Sequence, residues 1–242
     1  MKVAVIYGGL SAERDVSINT GGAVLKACLE NNYNASAIMI NDKNDKVFDT
    51  LMEYDIVFNA LHGTFGEDGS IQSLLENNDI LFTGSGSGAS KICMDKVKCK
   101  RILRKNNYAT PDWFELNSYS ELPKSFLPCI VKPNAQGSTF GLSLVEKMID
   151  LDKAVTNSLK YDKDVLLEKY IPGREITVGI LDDKSLPIVE ILPSHKLYDY
   201  KCKYTPGMTK YICPANLSED LKSKIMVDSL KIFKILKCKG YG

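Results

Sequence analysis

The sequence has few residues of the kinds that build metal or disulfide sites. It contains only two histidines, His62 and His195, and its seven cysteines are scattered, with none spaced as C-x-x-C. An odd number of scattered cysteines predicts neither a disulfide framework nor a zinc site. Two histidines argue equally against a histidine-rich metal site.

The sequence also lacks an excess of charge of either sign and any long apolar run. Lysine and arginine number 31 and aspartate and glutamate 30, which leaves a net charge of +1. Bulk electrostatics therefore give no support to a nucleic-acid or anionic-membrane partner. No apolar run approaches the roughly 20 residues of a transmembrane helix, and "VAVIY" is shorter than a signal-peptide core of about 7–15 residues. We expect a cytoplasmic protein.

Residues 1–84 alternate between strand and helix patterns. The stretches "KVAVIYG", "NASAIMI", "YDIVFNAL" and "ILFTG" are typical of strands, and "GSIQSLLENN" is typical of a helix. Ser17 is placed to cap a further helix through "GGAVLKACLENN". Such alternation predicts an α/β domain with a parallel sheet, whose functional loops lie at the carboxyl ends of the strands.

Residues 85–170 and 171–242 are expected to form two α+β domains. The first opens with one basic helix, "SKICMDKVKCKRILRKNN", and continues with the strands "SFLPCIVKP", "LSLVEK" and "DVLLEKYI" and the helix "DLDKAVTNSLKY". The second contains "REITVGIL", "LPIVEILP" and "YICPA" as strands, and a helix from Ser218 to about Lys237. A long loop between Ser194 and Lys210 is typical of a lid or binding loop.

The segment "VKPNAQGSTFG" is a candidate anion site. Lys132 follows two apolar strand residues, and a lysine in such a place either extends its ammonium to solvent or meets an anion. The following loop, with Ser138 and Thr139 between glycines, can present backbone N–H groups and hydroxyls to phosphates. A plain hairpin turn explains the loop equally well, and no Walker motif is present.

The other candidate residues are individually weaker. Glu168 and Glu175 lie on either side of a Pro-Gly turn and could accept hydrogen bonds from a nucleoside, although a solvated hairpin rim is the simpler interpretation. Lys96 and Lys100 share a helix face and are expected to be solvated. Glu13, near a helix N-terminus, could be an ordinary carboxylate favoured by the helix dipole, or it could hold a substrate ammonium. His62, at a strand end, is either a site residue or structural. His195 is expected on the surface.

The order of these motifs is more specific than any one of them. The series "GGxSAERxVS", "LHGxxGEDGxIQ", "TGSGxxAS…MDK", "VKPxxxGSTxG", "EKYIxGREITVGIL", "YDYxxKY" and "CPA" runs through the whole chain. Together these motifs resemble the D-alanine–D-alanine ligase family, which has the ATP-grasp fold. The resemblance implies an N-terminal α/β domain followed by two α+β subdomains that clamp ATP.

The resemblance also implies roles for particular residues. Glu13 and His62 resemble residues around the first D-alanine, and Glu13, Ser138 and Tyr204 would form a hydrogen-bonded lock across three domains. The residues that resemble the family's nucleotide contacts are Lys96, Lys132, Ser138, Thr139, Glu168, Lys169, Ile171, Glu175 and Lys203. The implied reaction uses ATP and Mg²⁺ to join two D-alanines through an acyl phosphate, for peptidoglycan precursors in cell-wall synthesis. The family is commonly dimeric, so a homodimer is compatible with the sequence.

The sequence ends in "KILKCKGYG", which is typical of a turn that leads into a strand. In the resembling family an Arg-x-Asp strand, a Glu-x-Asn strand and a Pro-Gly-x-Thr loop follow, and they bear the magnesium carboxylates. We therefore expect a ligase whose last domain is incomplete and whose 242 residues are inactive alone. Two alternatives remain: an ATP-grasp remnant that binds nucleotide without catalysis, and a D-alanine–D-lactate ligase, against which Tyr204 argues.

Overall fold

A computed structural model describes residues 1–41, 46–116 and 122–242. The chain divides into two compact units. The first unit comprises residues 1–93 and 234–242, and the second comprises residues 94–233. The predicted division into domains 1–84, 85–170 and 171–242 stays a prediction. No helix in the described ranges has the length and apolar character needed to span a membrane.

The first unit is built on a parallel sheet with the strand order β2-β1-β3. The strands are β1 (Lys2–Gly8), β2 (Asn34–Ile40) and β3 (Ile56–Asn59). All residues from Val3 to Ile6 are buried, as expected of a central parallel strand covered on both faces. In place of the predicted strand "ILFTG", only an isolated parallel bridge joins Phe82 to Val57.

The helices in the described part of this unit are α1 (Arg14–Glu30), α2 (Lys46–Leu51), α3 (Ser70–Asn77) and α4 (Ser87–Met94), whose last residue falls in the second unit. The prediction that Ser17 caps a helix is wrong, because α1 begins three residues earlier. Ser17 is instead fully buried, where its hydroxyl donates to Ala60 O at 2.7 Å and accepts from Gly8 N at 2.9 Å. These bonds fix α1 to the carboxyl ends of two strands.

The second unit opens with α5 (Lys96–Lys105). The predicted continuous basic helix is broken before it, since Asp95 has extended backbone dihedrals and its side chain accepts from Lys98 N. This is the N-cap arrangement. The cap begins a new helix whose first residue is Lys96.

A four-stranded antiparallel sheet with the order β4-β7-β5-β6 follows. Its core is apolar and packs against α6. The elements are β4 (Trp113–Glu115), β5 (Cys129–Pro133), β6 (Ser143–Val145), α6 (Leu151–Ser158) and β7 (Val165–Lys169).

The rest of the second unit contains a three-stranded sheet with the order β12-β11-β8 and a two-stranded hairpin of β9 and β10. The predicted long loop from Ser194 to Lys210 contains a short helix, α7. The elements are β8 (Glu175–Thr177), β9 (Ile180–Leu181), β10 (Lys184–Ser185), β11 (Val189–Pro193), α7 (Tyr200–Tyr204), β12 (Thr209–Ile212) and α8 (Glu219–Ile235), whose last two residues fall in the first unit.

Candidate functional site

A carboxylate held between two lysines lies at the centre of the second unit. Glu168 on β7 pairs through both of its oxygens, with Lys100 of α5 on one and Lys132 of β5 on the other. The strand register sets Glu168 opposite Ile130 and Leu166 opposite Lys132, so Lys132 and Glu168 are diagonal neighbours on one face of the sheet. All three side chains are largely buried.

Burial and charge oppose each other in this cluster. Burial disfavours the ionised carboxyl of Glu168, but the charges and hydrogen bonds of Lys132 and Lys100 outweigh it and lower the pKa of Glu168. Burial lowers the pKa of Lys100, although Glu168 acts in the opposite direction. Two lysines for one carboxylate leave a surplus positive charge, which suits the cluster to an anion.

Lys96 lies beside the cluster. Its ammonium donates to Asn134 O at 3.1 Å and to Gln136 O at 2.8 Å, and its first-turn position is fixed by the Asp95 cap. Burial and the charge of Lys132 lower the pKa of Lys96 to about 8. A lysine near its pKa at neutral pH is unusual and is typical of functional sites.

A cavity of about 310 Å³ opens beside Lys132 and Glu168. This volume is at the lower end of the range for small-molecule sites. Seven of the nine residues predicted to contact nucleotide line it: Lys132, Thr139, Glu168, Lys169, Ile171, Glu175 and Lys203. Burial of its carboxyl raises the pKa of Glu175, and the charge of Lys203 opposes this shift.

The ammonium of Lys169 is bonded to three backbone carbonyls. Its ammonium donates to Ser125 O, Phe126 O and Leu127 O at 2.9–3.0 Å. Since an ammonium has three donors, these carbonyls use all of them. Lys169 therefore lines the cavity with its stem and backbone.

The loop after β5 has a strained backbone. Ser138 and Thr139 both have positive φ angles, 47° and 61°, which is uncommon for residues other than glycine. The Ser138 hydroxyl lies 2.9 Å from the hydroxyl of Tyr204 on α7. Ser138 and Tyr204, which the family resemblance implied to be hydrogen-bonded, are thus in contact within the second unit.

Aromatic rings hold the same loop against α7. Phe140 packs on Tyr200 and Tyr161, with ring centroids 5.0 Å and 5.8 Å apart, and Tyr200 packs on Tyr204 at 4.7 Å. Sequence reasoning gave no role to Phe140 or Tyr200. Their contacts explain why an aromatic residue stands in an otherwise polar, glycine-containing loop.

The candidate substrate residues lie in the first unit. Glu13 immediately precedes α1 and is buried, with 3% of its surface exposed. Gly63, which has a positive φ of 68°, makes room for it, because a Cβ there would lie 2.5 Å from Glu13 Oε2. The predicted lock joins Glu13 to Ser138 and Tyr204 of the second unit, and that part of it stays a prediction.

His62 forms a small network with polar neighbours. Its Nε2 lies 3.0 Å from the hydroxyl of Thr20, and its Nδ1 lies 3.6 Å from Glu67 Oε1. The other Glu67 oxygen accepts from Gly63 N at 2.8 Å. Burial raises the pKa of Glu67. The hydrogen bond from Gly63 and the charge of His62 act in the opposite direction and offset the shift only in part. A cavity of about 390 Å³ in this unit is lined by His62, Thr20 and Glu67.

Phe65 explains the shape of the His62 loop. It is 4% exposed, belongs to the apolar core and has a φ of 75°. Its backbone N–H donates to Asp68 Oδ2 at 2.9 Å. The apolar residue therefore anchors a loop whose polar residues face the cavity.

Lys100 is the main residue that sequence reasoning missed. The expectation that Lys96 and Lys100 are solvated is wrong, since Lys100 is 5% exposed and both ammonium groups are bonded. The available signal was their spacing of four residues on a helix that begins at "MDK". His195 is partly exposed and contacts Asp199 at 2.8 Å, as expected of a surface residue.

The described carboxylates do not fit a magnesium site. The acidic residues lining the 310 Å³ cavity are Glu168 and Glu175, and Glu168 is already neutralised by two lysines. The one group of three potential metal ligands found among the described residues is His195, Asp199 and Cys202. It offers nitrogen and sulfur, whereas Mg²⁺ prefers oxygen, and Asp199 caps α7 through Cys202 N.

Comparisons with known proteins agree with this architecture. A family model described as "D-ala D-ala ligase C-terminus" matches residues 97–242, and one described as "D-ala D-ala ligase N-terminus" matches residues 42–85. D-alanine–D-alanine ligases of Carboxydothermus hydrogenoformans and Syntrophotalea carbinolica are 39% and 40% identical to this chain. The alignments cover 100% and 99% of the chain, and 81% and 79% of the relatives.

Solved structures give the same result. The crystal structure of D-alanine–D-alanine ligase from Bacillus anthracis superposes with a TM-score of 0.88 at 38% identity, and covers 100% of this chain and 80% of that one. The same enzyme complexed with ATP gives a TM-score of 0.85 at 37% identity, with the same coverage. These matches confirm the predicted fold class, a mixed α/β architecture of the ATP-grasp type. The chain belongs to the D-alanine–D-alanine ligase family.

Proposed function

We propose that this protein takes part in the ATP-dependent ligation of two D-alanines, a step that supplies peptidoglycan precursors for the cell wall. In this reaction the carboxylate of one D-alanine accepts the γ-phosphoryl group of ATP and becomes an acyl phosphate. The amine of the second D-alanine then attacks the acyl carbon, and phosphate leaves. D-Alanine and ATP are the proposed small-molecule partners.

The observation that carries this proposal is the cluster of Glu168, Lys100 and Lys132 beside a cavity, with Lys96 next to it. We assign the phosphates of ATP to Lys96 and Lys132, since a surplus of buried positive charge needs an anion. The nucleoside end would lie against Glu168, the Lys169 stem and Ile171, with Glu175 accepting from the ribose. Lys203 would add charge near Glu175.

Ser138 and Thr139 would cover the phosphates. Successive residues with left-handed dihedrals aim their backbone N–H groups into a concavity that suits anions. The Ser138–Tyr204 hydrogen bond and the ring contacts of Phe140 would keep this cover closed over the site. Exclusion of water matters here, because water would hydrolyse an acyl phosphate.

The first D-alanine would bind in the first unit. The buried carboxylate of Glu13 can hold its ammonium, and His62, fixed by Thr20 and Glu67, can contact its carboxylate. The Glu13 side of the proposed lock would join this unit to Ser138 and Tyr204. The presence of a tyrosine at position 204 supports D-alanine, rather than D-lactate, as the second substrate.

Phosphoryl transfer in such enzymes also relies on Mg²⁺, which neutralises phosphate charge. The described residues do not supply its carboxylate ligands. We therefore assign to these residues binding, orientation and exclusion of water, and no metal-dependent step. Location in the cytoplasm and assembly as a homodimer are further parts of the proposal, and the family's common behaviour supports them.

Replacement of Lys132 by alanine tests the nucleotide assignment. Loss of a charge-assisted contact costs about 1.5–3 kcal/mol, so we expect ATP to bind about tenfold to 100-fold more weakly in isothermal titration calorimetry. Lys196→Ala is the matched control, because Lys196 forms an exposed ion pair with Glu146 and lines no part of this cavity. The assignment fails if both variants bind ATP as the original protein does, with the fluorescence of Trp113 showing that each is folded.

A further inference from the structure

Two cysteines that are distant in sequence meet in the first unit. The sulfur of Cys93, in α4, lies 3.6 Å from the sulfur of Cys238, in the turn after α8, across a separation of 145 residues. Cys93 is exposed and Cys238 is half-buried. Sequence reasoning predicted no disulfide framework, and scattered cysteines gave no sign of this pair.

Contacts other than the sulfurs bring the two segments together. The backbone N–H of Lys239 donates to the hydroxyl of Ser85 at 3.0 Å. The ring of Tyr241 stacks on Phe58 with centroids 6.3 Å apart and an interplanar angle of 11°. The chain around Cys238 is thus fixed on both sides, so the meeting of the thiols does not depend on the thiols themselves.

The environment of Cys238 favours its thiolate. A hydrogen bond from Cys93 lowers the pKa of Cys238 to about 6, burial opposes this shift, and a hydrogen bond from Ser85 adds to it. A thiolate is the form that attacks disulfides. At neutral pH, Cys238 is therefore mostly in its reactive form, with a second thiol beside it.

Other titratable groups share the surroundings of the pair. Both sulfurs belong to residues that line the 390 Å³ cavity, together with His62, Glu67 and Tyr241. Lys237 and Lys239 flank Cys238 in the sequence. The cavity gives a small oxidant access to the pair, which a fully buried pair would lack.

We propose that Cys93 and Cys238 are a redox-sensitive pair. On reaction with low-molecular-weight disulfides, the two cysteines form a reversible disulfide with each other. The sulfurs would need to approach by about 1.5 Å to reach bonding distance.

The electron balance of the step is that of thiol–disulfide exchange. The Cys238 thiolate attacks one sulfur of the small disulfide, forms a mixed disulfide and releases one thiolate, which takes up a proton. Cys93 then loses its proton and attacks the Cys238 sulfur, which releases the second thiol. The two cysteines are oxidised, and the small disulfide is reduced to two thiols.

The position of the pair gives the bond a structural consequence. Cys93 is the last residue before the second unit, and Cys238 follows the return of the chain to the first unit. A bond between them closes a loop that contains the whole second unit. Closure of so long a loop restricts the unfolded chain, so the oxidised protein is expected to unfold at a higher temperature than the reduced protein.

The test uses the reduced protein and glutathione disulfide. After incubation, remaining thiols are alkylated, and the digested protein is analysed by mass spectrometry. We expect peptides of Cys93 and Cys238 to be joined, the other five cysteines to carry the alkyl group, and dithiothreitol to reverse the bond. Alkyl groups on both Cys93 and Cys238, or a glutathione adduct that persists on Cys238, would overturn the proposal.

Two variants sharpen the result. Cys93→Ala removes the resolving thiol, so glutathione should stay attached to Cys238, whereas Cys213→Ser, outside the pair, should leave the disulfide unaffected. In the original protein the rate of Cys238 alkylation should be half-maximal near pH 6. In Cys93→Ala the pH at which Cys238 alkylation is half-maximal should move up toward the ordinary thiol pKa of about 8.5. An unchanged midpoint in this variant would contradict the proposed coupling of the two thiols.

Discussion

Replacement of Glu168 by glutamine is expected to destabilise the protein by about 3–5 kcal/mol, as is typical when one partner of a buried ion pair is lost. The amide can accept a hydrogen bond but carries no charge, so Lys100 and Lys132 are left without neutralisation. The Lys100 side chain is 7% exposed and that of Glu168 is 14% exposed, so water compensates little for the lost charge.

Urea unfolding followed by tryptophan fluorescence measures this effect. The single tryptophan, Trp113, lies on β4, and the ammonium of Lys100 lies 5.0 Å from its ring centroid, so it reports on the affected region. Glu146→Gln is the matched control, because the Glu146 and Lys196 side chains are 60% and 59% exposed and exposed ion pairs contribute little. Equal midpoints for the two variants would show that Glu168 does not hold the cluster together.

The same variant has a predicted pH dependence. The folded protein holds the pKa of Glu168 below its ordinary value of 4.5, so the carboxylate binds fewer protons in the folded state than in the unfolded one. Its contribution to stability is therefore complete above pH 4.5 and is lost as the pH falls through the folded pKa. The difference between the original protein and Glu168→Gln should be constant near pH 7 and should shrink in acid.

The second large effect concerns turnover. We expect a protein of residues 1–242, given ATP, Mg²⁺ and D-alanine, to release phosphate at least about 10³-fold more slowly than a ligase with a complete metal site. Metal ions supply several kcal/mol of transition-state stabilisation, and each 1.36 kcal/mol is about tenfold in rate. Of the two acidic residues that line the 310 Å³ cavity, Glu168 is already held by Lys100 and Lys132. Glu175 alone offers too few oxygen ligands for Mg²⁺.

A coupled assay for phosphate release, with a full-length ligase as the positive control, measures this rate. ATP binding by the same sample should be retained, which separates a missing metal site from a misfolded protein. Turnover at the rate of the control ligase would mean that carboxylates of this chain do bind Mg²⁺, and Asp199 and Glu67 would then be the first residues to replace.

The features predicted correctly from sequence depend on local patterns. The buried strand "KVAVIYG" and the strand "NASAIMI" have the observed bounds, because apolar runs and turn residues define them within a few positions. The order of motifs identified the family and seven of the residues that line the 310 Å³ cavity. Lys132 was recognisable because an apolar strand is an unusual place for a lysine.

The features that were missed depend on contacts between distant residues. Lys100 looks like a solvated helix lysine until β7 brings Glu168 to it. Serine is a common helix-capping residue, but Ser17 is buried within α1 and its hydroxyl bonds to two backbone groups. The helix break at Asp95 is supported by Asn134, whose amide donates to Asp95 Oδ1 at 2.9 Å. No local pattern encodes the meeting of Cys93 with Cys238.

The central claim is that ATP phosphates bind beside Lys96 and Lys132. A derivative of ATP with an acyl group on its terminal phosphate tests this directly, because a nearby neutral lysine amine attacks the acyl carbonyl, forms an amide and releases ATP. Lys96, with its pKa lowered to about 8, should react readily at pH 8. The ion pair with Glu146 raises the pKa of Lys196, so Lys196 should not react.

Mass spectrometry of the digested protein locates the amide. The account predicts the label on Lys96 or Lys132, and its disappearance when excess ATP competes. Labelling of lysines outside the cluster, or labelling that ATP does not suppress, would contradict the assignment of this site to the nucleotide.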